Sequence, residues 1–418
     1  MPVNVLRPGP WTHRHLTAGG TRFHTALAGP QTPVGESGPS SPLVLLLHGF
    51  PQCWWTWRKV IEPLADAGHR VAALDLRGFG GSDRPPSGYD LVTLADDVHG
   101  VIGALGHESA IVVGHGLGGH VAWLMAGRFA RTVRAIVPVG APHPVAVRSL
   151  RGRNFSGSAL QYLGFKTPFL PERTLSTTAG MERLLRSWAG PRTRDAVARS
   201  AGYYAALLAR AALSSVRNLI LSRAEVAALT DPVSLPVLSV QGEVDPVQPA
   251  QAYARDTHHV AGRLAQVTIR GVGHFPQEEA PAPLVDVLLP FLAAYAAQGL
   301  VSQDSRLYVY DITYDDGIMR LNSARYSYGE GWYLAAMVIG AILIRKTIAL
   351  TEAFRRSVVI ALIAIYLEAF WMVTLTNVFM GQVKEIGQWL RDRAVVDAAI
   401  VQLEGFMSWL GPVRDFLL

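Results

Sequence analysis

Cysteine is nearly missing from this 418-residue chain: Cys53 is the only one. That excludes an intramolecular disulfide and a cysteine-built metal site, and a reducing compartment suits the sequence. The N-terminus lacks the basic-then-apolar order of a signal peptide, so the globular part is expected in the cytoplasm. No run of Lys and Arg interleaved with aromatics is present, and no nucleic-acid partner is expected. Carboxylates are scarce in one segment. Between Val145 and Thr230 there are 13 Lys/Arg against 4 Asp/Glu, an excess larger than the whole formal charge of +6. Such a segment reads as a solvated, Arg-rich helical surface, or as one that faces acidic groups such as lipid headgroups.

What is present is an alternation of buried strands and helices. Residues 11–28 read as a strand–turn–strand hairpin around Gly19-Gly20. Leu43–Leu47, Val71–Leu74, Ile111–Val113 and Ala135–Val139 are short continuous apolar runs, with helical patterns between them. Runs of that kind belong to a mostly parallel sheet covered on both faces. The basic helical stretch 145–230 interrupts the order, which resumes with strands at Val237–Gln241 and Ala265–Ile269 and a helix at Leu284–Ala297. The division is therefore an α/β core in two parts, 1–144 and 231–298, a helical cap at 145–230, a linker at 299–330 with a short strand candidate at Leu307–Thr313, and a helical tail at 331–418.

The centre of the core is Gly114-His115-Gly116-Leu117-Gly118, between a strand and a helix. A Gly-x-Nuc-x-Gly elbow lifts its middle side chain above the sheet edge. Here the middle residue is Gly116, so the elbow lacks its attacking atom. Gly114-x-Gly116-x-x-Gly119 also spells a dinucleotide fingerprint, but that needs an acidic residue roughly 20 positions on. The next strand runs instead into Gly140-Ala141-Pro142, and no cofactor is expected. In elbow enzymes an acid and then a histidine follow the nucleophile in chain order. Asp245 and His274 stand just after the two later strands, where loops at the C-terminal sheet edge converge.

Residues 10–298 resemble the α/β-hydrolase superfamily and, within it, the epoxide-hydrolase-like branch. His48-Gly-Phe-Pro51 is similar to that branch's HGxP motif, and Asp75-Leu-Arg-Gly-Phe-Gly-Gly-Ser-Asp83 to its DxRGxGxSD segment. The resemblance implies an α/β-hydrolase fold with a cap and an elbow carboxylate that forms an ester with the substrate. A water activated by His274, oriented by Asp245, would hydrolyse that ester. It further implies an oxyanion hole from the N–H groups of Phe50 and Leu117, a cis Pro51, and substrate contacts from Tyr204 and Tyr162. His48 and Trp54, in and beside the HGxP motif, are assigned to the substrate site as well. The implied ligand is a small apolar, epoxide or ester molecule, with no metal.

Gly116 departs from this pattern at the reacting position. Two readings follow. In one, water fills the vacated space and the His274–Asp245 pair activates it directly. In the other, the pocket binds an apolar ligand or a partner without turnover.

The tail carries Ser357–Gly381, 25 residues in which only Glu368 is charged, long enough to span a bilayer. Gly331–Ile344 is shorter, and Val383 to Leu410 repeats apolar residues at helical spacing. Arg345, Lys346, Arg355 and Arg356 precede the long run. They place its leading side, and the globular domain, at the inner face of the membrane. A membrane-tethered scaffold is a third reading of the whole chain.

Overall fold

The structure, a computed structural model, describes residues 5–30, 42–150, 164–167, 169–208, 210–217, 221–248, 250–296, 307–315 and 318–327. The chain divides into two compact units, Met1–Arg325 and Tyr326–Leu418. All described residues except Tyr326 and Ser327 belong to the first. The expected membrane-associated tail, 331–418, lies outside the described residues. Among those described, no helix is long and apolar enough to cross a membrane.

The strands are β1 (Thr12–Ala18), β2 (Thr21–Ala28), β3 (Leu43–Leu47), β4 (Val71–Leu74), β5 (Ala110–His115), β6 (Val133–Val139), β7 (Val237–Gly242), β8 (Leu264–Ile269), β9 (Leu307–Asp315) and β10 (Ile318–Ser327). They form one sheet in the order β1-β2-β4-β3-β5-β6-β7-β8-β9-β10. β1 and β2 are an antiparallel hairpin whose turn residues, Gly19 and Gly20, both have positive φ. That is the turn whose twist matches the strands it joins. β2 runs antiparallel to β4, and every pairing from β4 to β9 is parallel. All five residues of β3 are fully buried, which requires cover on both faces of the sheet.

Helices α1 (Arg58–Asp66), α2 (Leu91–Ala104) and α3 (Leu117–Arg128) make the crossovers of the first half. Seven described helices, α4 to α10, lie between β6 and β7: Pro144–Leu150, Leu170–Leu175, Thr178–Trp188, Arg194–Ala198, Ala201–Leu207, Arg210–Arg217 and Arg223–Ala228. The second half adds α11 (Ala250–Ala254), α12 (Pro276–Glu279) and α13 (Pro281–Ala296).

One expectation needs correcting. The stretch 299–330, expected as a linker with one short strand candidate at Leu307–Thr313, contains two strands, β9 and β10, and β9 pairs in parallel with β8 from Leu264↔Val309 to Ile269↔Tyr314. The edge of β8 offers unpaired backbone groups, and the Tyr-, Val-, Ile- and Thr-rich run of β9 has the composition to take them up.

Candidate active site

The turn from β5 into α3 fixes the site. Gly116 sits at its apex with φ +50° and ψ −111°, a conformation that a residue with a side chain adopts only with strain. A Cβ built on Gly116 would meet only His274 Nε2, at 3.6 Å, and Gly49 Cα, at 3.7 Å. The apex thus keeps the elbow's backbone and the space above it, but holds no side chain. The glycine spacing also has a packing cause, because a Cβ on Gly119 would stand 2.3 Å from that of Ala141. Helix α3 has to lie that close to the loop after β6.

Asp245 follows β7 and His274 follows β8, and the two loops bring the side chains together. His274 Nδ1 lies 2.9 Å from Asp245 Oδ2, with both side chains almost fully buried. A carboxylate accepts, so Nδ1 carries the proton and Nε2 presents its lone pair to the space above Gly116. Asp245 is itself held by the N–H groups of Val247 and Gln248, which donate to Oδ1 at 2.7 and 3.2 Å. No described residue hydrogen-bonds Nε2.

The cavity over the apex measures about 20 Å³. Phe50, Gly116, Leu117, His120 and His274 form its floor and sides, and Gln248, Trp188 and Val216 complete it, the last two from α6 and α9. Phe50 and Leu117, expected to supply the oxyanion donors, therefore border the same space as His274. Neither N–H donates to another described backbone carbonyl. The Phe50–Pro51 peptide is cis, as the HGxP resemblance implies.

Three residues expected at the substrate site do not line this cavity. His48 is fully buried; its Nε2 accepts the Leu76 N–H at 3.0 Å and its Nδ1 lies 3.1 Å from the Gly49 carbonyl. It ties the loop after β3 to the loop after β4. Trp54 starts a 3₁₀ turn, its N–H donates to Asp75 Oδ1 at 2.8 Å, and its ring packs edge-on against Trp11, His13 and Trp55. Tyr204, on α8, is buried and donates its hydroxyl to Glu278 Oε1 at 2.5 Å. Glu278 also takes a two-pronged bond from Arg58, at 2.9 and 2.7 Å. The charged carboxylate, accepting from both partners, holds the hydroxyl in place. Burial, reinforced by Glu278, pushes the Tyr204 phenol well above its usual range. Tyr162 lies outside the described residues.

The structure adds positioning residues that no motif announced. Beneath the apex, His115 Nε2 donates to the His274 carbonyl at 2.7 Å. Burial and the neighbouring His274 hold the His115 imidazole far below its ordinary range, hence neutral. Glu279 collects the N–H groups of Gly273 and Phe275, which flank His274, at 2.9 Å each. The same carboxylate accepts from Gly190 N and Thr193 Oγ1 in the cap, and Trp188 O accepts the His274 N–H at 2.8 Å. The histidine loop is thus tied to both core and cap.

The alpha/beta hydrolase fold family matches residues 42–281. Epoxide hydrolase A of Mycobacterium tuberculosis is 30% identical over 326 residues, covering 67% of this chain and 97% of that one. The AB hydrolase superfamily protein YfhM of Bacillus subtilis is 37% identical over 166 residues, 38% of this chain and 54% of its own, so the match spans about half that relative's length. Among solved structures, Epoxide Hydrolase A from Mycobacterium thermoresistibile superposes with a TM-score of 0.57 at 27% identity, covering 69% of this chain and 100% of that one. Fold, family match and full-length relative agree: the chain belongs to the α/β-hydrolase superfamily, in its epoxide-hydrolase-like branch.

Proposed function

We propose that this protein hydrolyses small epoxides or esters with a water molecule in place of an elbow side chain. The reading rests on one observation above all: His274 Nε2 faces the empty apex while Nδ1 is fixed on Asp245. In this mechanism water occupies the cavity, which exceeds the roughly 10–15 Å³ that one water needs. His274 takes its proton as the oxygen attacks, and Asp245 stabilises the imidazolium that forms. The ring C–O bond of an epoxide, or the acyl–oxygen bond of an ester, breaks as its oxygen takes that proton back from His274. The N–H groups of Phe50 and Leu117 meet the oxygen on which negative charge develops when the substrate is an ester. A substrate larger than water requires the cap wall at Trp188 and Val216 to move back.

The small cavity favours a second reading, in which the pocket holds a ligand and turns nothing over. Incubating the full chain with a panel of epoxides and esters separates the two. Diol or acid product supports hydrolysis, whereas ligand-induced thermal stabilisation without product supports binding alone. The tail is assigned the role of holding this domain at the inner face of the membrane, on the strength of the Ser357–Gly381 run and the basic residues before it.

A further inference from the structure

No described side chain around the cavity can attack. Its walls offer apolar groups, one amide and two imidazoles, with no carboxylate, hydroxyl or thiol. The electrostatics of the same space favour an anion. Helix α3, 12 residues long, points its N-terminus at the cavity, and that end carries a partial positive charge and unpaired N–H groups. His274 is only 3% exposed, and its Nε2 has no partner among the described residues, yet it faces the cavity. At about 20 Å³ the cavity exceeds the single-water minimum of roughly 10–15 Å³, and a carboxylate, like a substrate, enters it as the cap wall at Trp188 and Val216 moves back.

We propose that the space above Gly116 is a binding site for a small free carboxylate, which serves as an exchangeable nucleophile. This rests on the hydrolytic reading of the His274–Asp245 pair and deepens it. With His274 protonated, Nε2–H and the N–H groups of Phe50 and Leu117 hold the anion. One carboxylate oxygen attacks an epoxide carbon; the new C–O bond forms as the ring C–O bond breaks, and the ring oxygen takes the proton from His274. The product is a hydroxyalkyl ester and a neutral imidazole. Neutral His274 then removes a proton from water as its oxygen attacks the ester carbonyl. The acyl–oxygen bond breaks, and the departing alkoxide takes the proton back from His274 to give the diol. The carboxylic acid returns its proton to His274. The carboxylate is regenerated, and the net reaction is hydrolysis.

The test uses the full chain, styrene oxide and formate labelled with ¹⁸O in both oxygens, in unlabelled water. The expected result is a saturable rise in diol formation, about tenfold or more over the formate-free rate, with one ¹⁸O in the diol. Gly116→Ala, whose methyl group would stand in the vacancy, should remove both effects. Diol formed at a formate-independent rate overturns the proposal and leaves the water mechanism standing. A formate-dependent rate with no ¹⁸O in the diol also overturns it, because the carboxylate is then not the nucleophile. No diol under either condition overturns both readings.

Discussion

His274 and Gly116 face one another across a gap of side-chain size: a Cβ on the glycine would stand 3.6 Å from the imidazole Nε2. The partners that hold that imidazole are intact, from Asp245 on Nδ1 to the Trp188 carbonyl on its N–H. These bonds fix the orientation of the ring towards the apex. The same logic extends to Glu279, whose carboxylate fixes the backbone on either side of His274.

Stability should peak near pH 6.5. Burial pushes Asp256 up to about 8 from an ordinary 3.8, so from pH 3.8 to 8 the folded chain holds a proton the unfolded chain has released. Stability from this group therefore falls as pH rises through that window. Burial, then the neighbouring His259, pushes His143 down to about 2 from 6.5. Burial likewise lowers His259 to about 4. Below pH 6.5 the unfolded chain binds protons these rings refuse, and stability falls as pH drops. Asp256 and His143 cancel between 3.8 and 6.5, leaving His259 to tilt that range. Above pH 6.5 the loss should reach at most about 1.4 kcal/mol per pH unit. Denaturant unfolding of Asp256→Asn should be flat from pH 6.5 to 8; a slope equal to that of the native chain would refute the assignment.

Glu278→Ala should destabilise the fold by roughly 3–5 kcal/mol, because it strands the largely buried Arg58 guanidinium. Replacing both partners by apolar residues, Arg58→Met with Glu278→Leu, should cost much less. Urea unfolding measures both. A single variant within about 1 kcal/mol of the native chain would show that the pair carries little.

Membranes from cells making the full chain should retain it through an alkaline carbonate wash. Recovery of all the protein in the soluble fraction would remove the membrane role assigned to 331–418.

The core was legible because its signals are local. Leu43–Leu47 and Val71–Leu74 are strands at the bounds their apolar runs predict, and chain order alone brought Asp245 and His274 forward. What escaped depends on tertiary partners. Tyr204 lies on a helix, but the carboxylate that captures its hydroxyl is 74 positions away. His48 belongs to a recognisable motif, yet its job is to accept a backbone N–H from the next strand's loop. Leu307–Thr313 reads as a short strand candidate, yet its place in the sheet is set by the neighbour it pairs with, here β8. His115 carried one signal, its place beside the elbow apex, although nothing in its spacing tied it to the His274 carbonyl.

The most direct measurement is the rate of epoxide or ester hydrolysis by the native chain beside His274→Ala and Asp245→Asn. The account predicts turnover that falls by about 10²–10⁴ in each variant, through loss of the base in one and of its tautomer in the other. Turnover that survives both substitutions undiminished would contradict it.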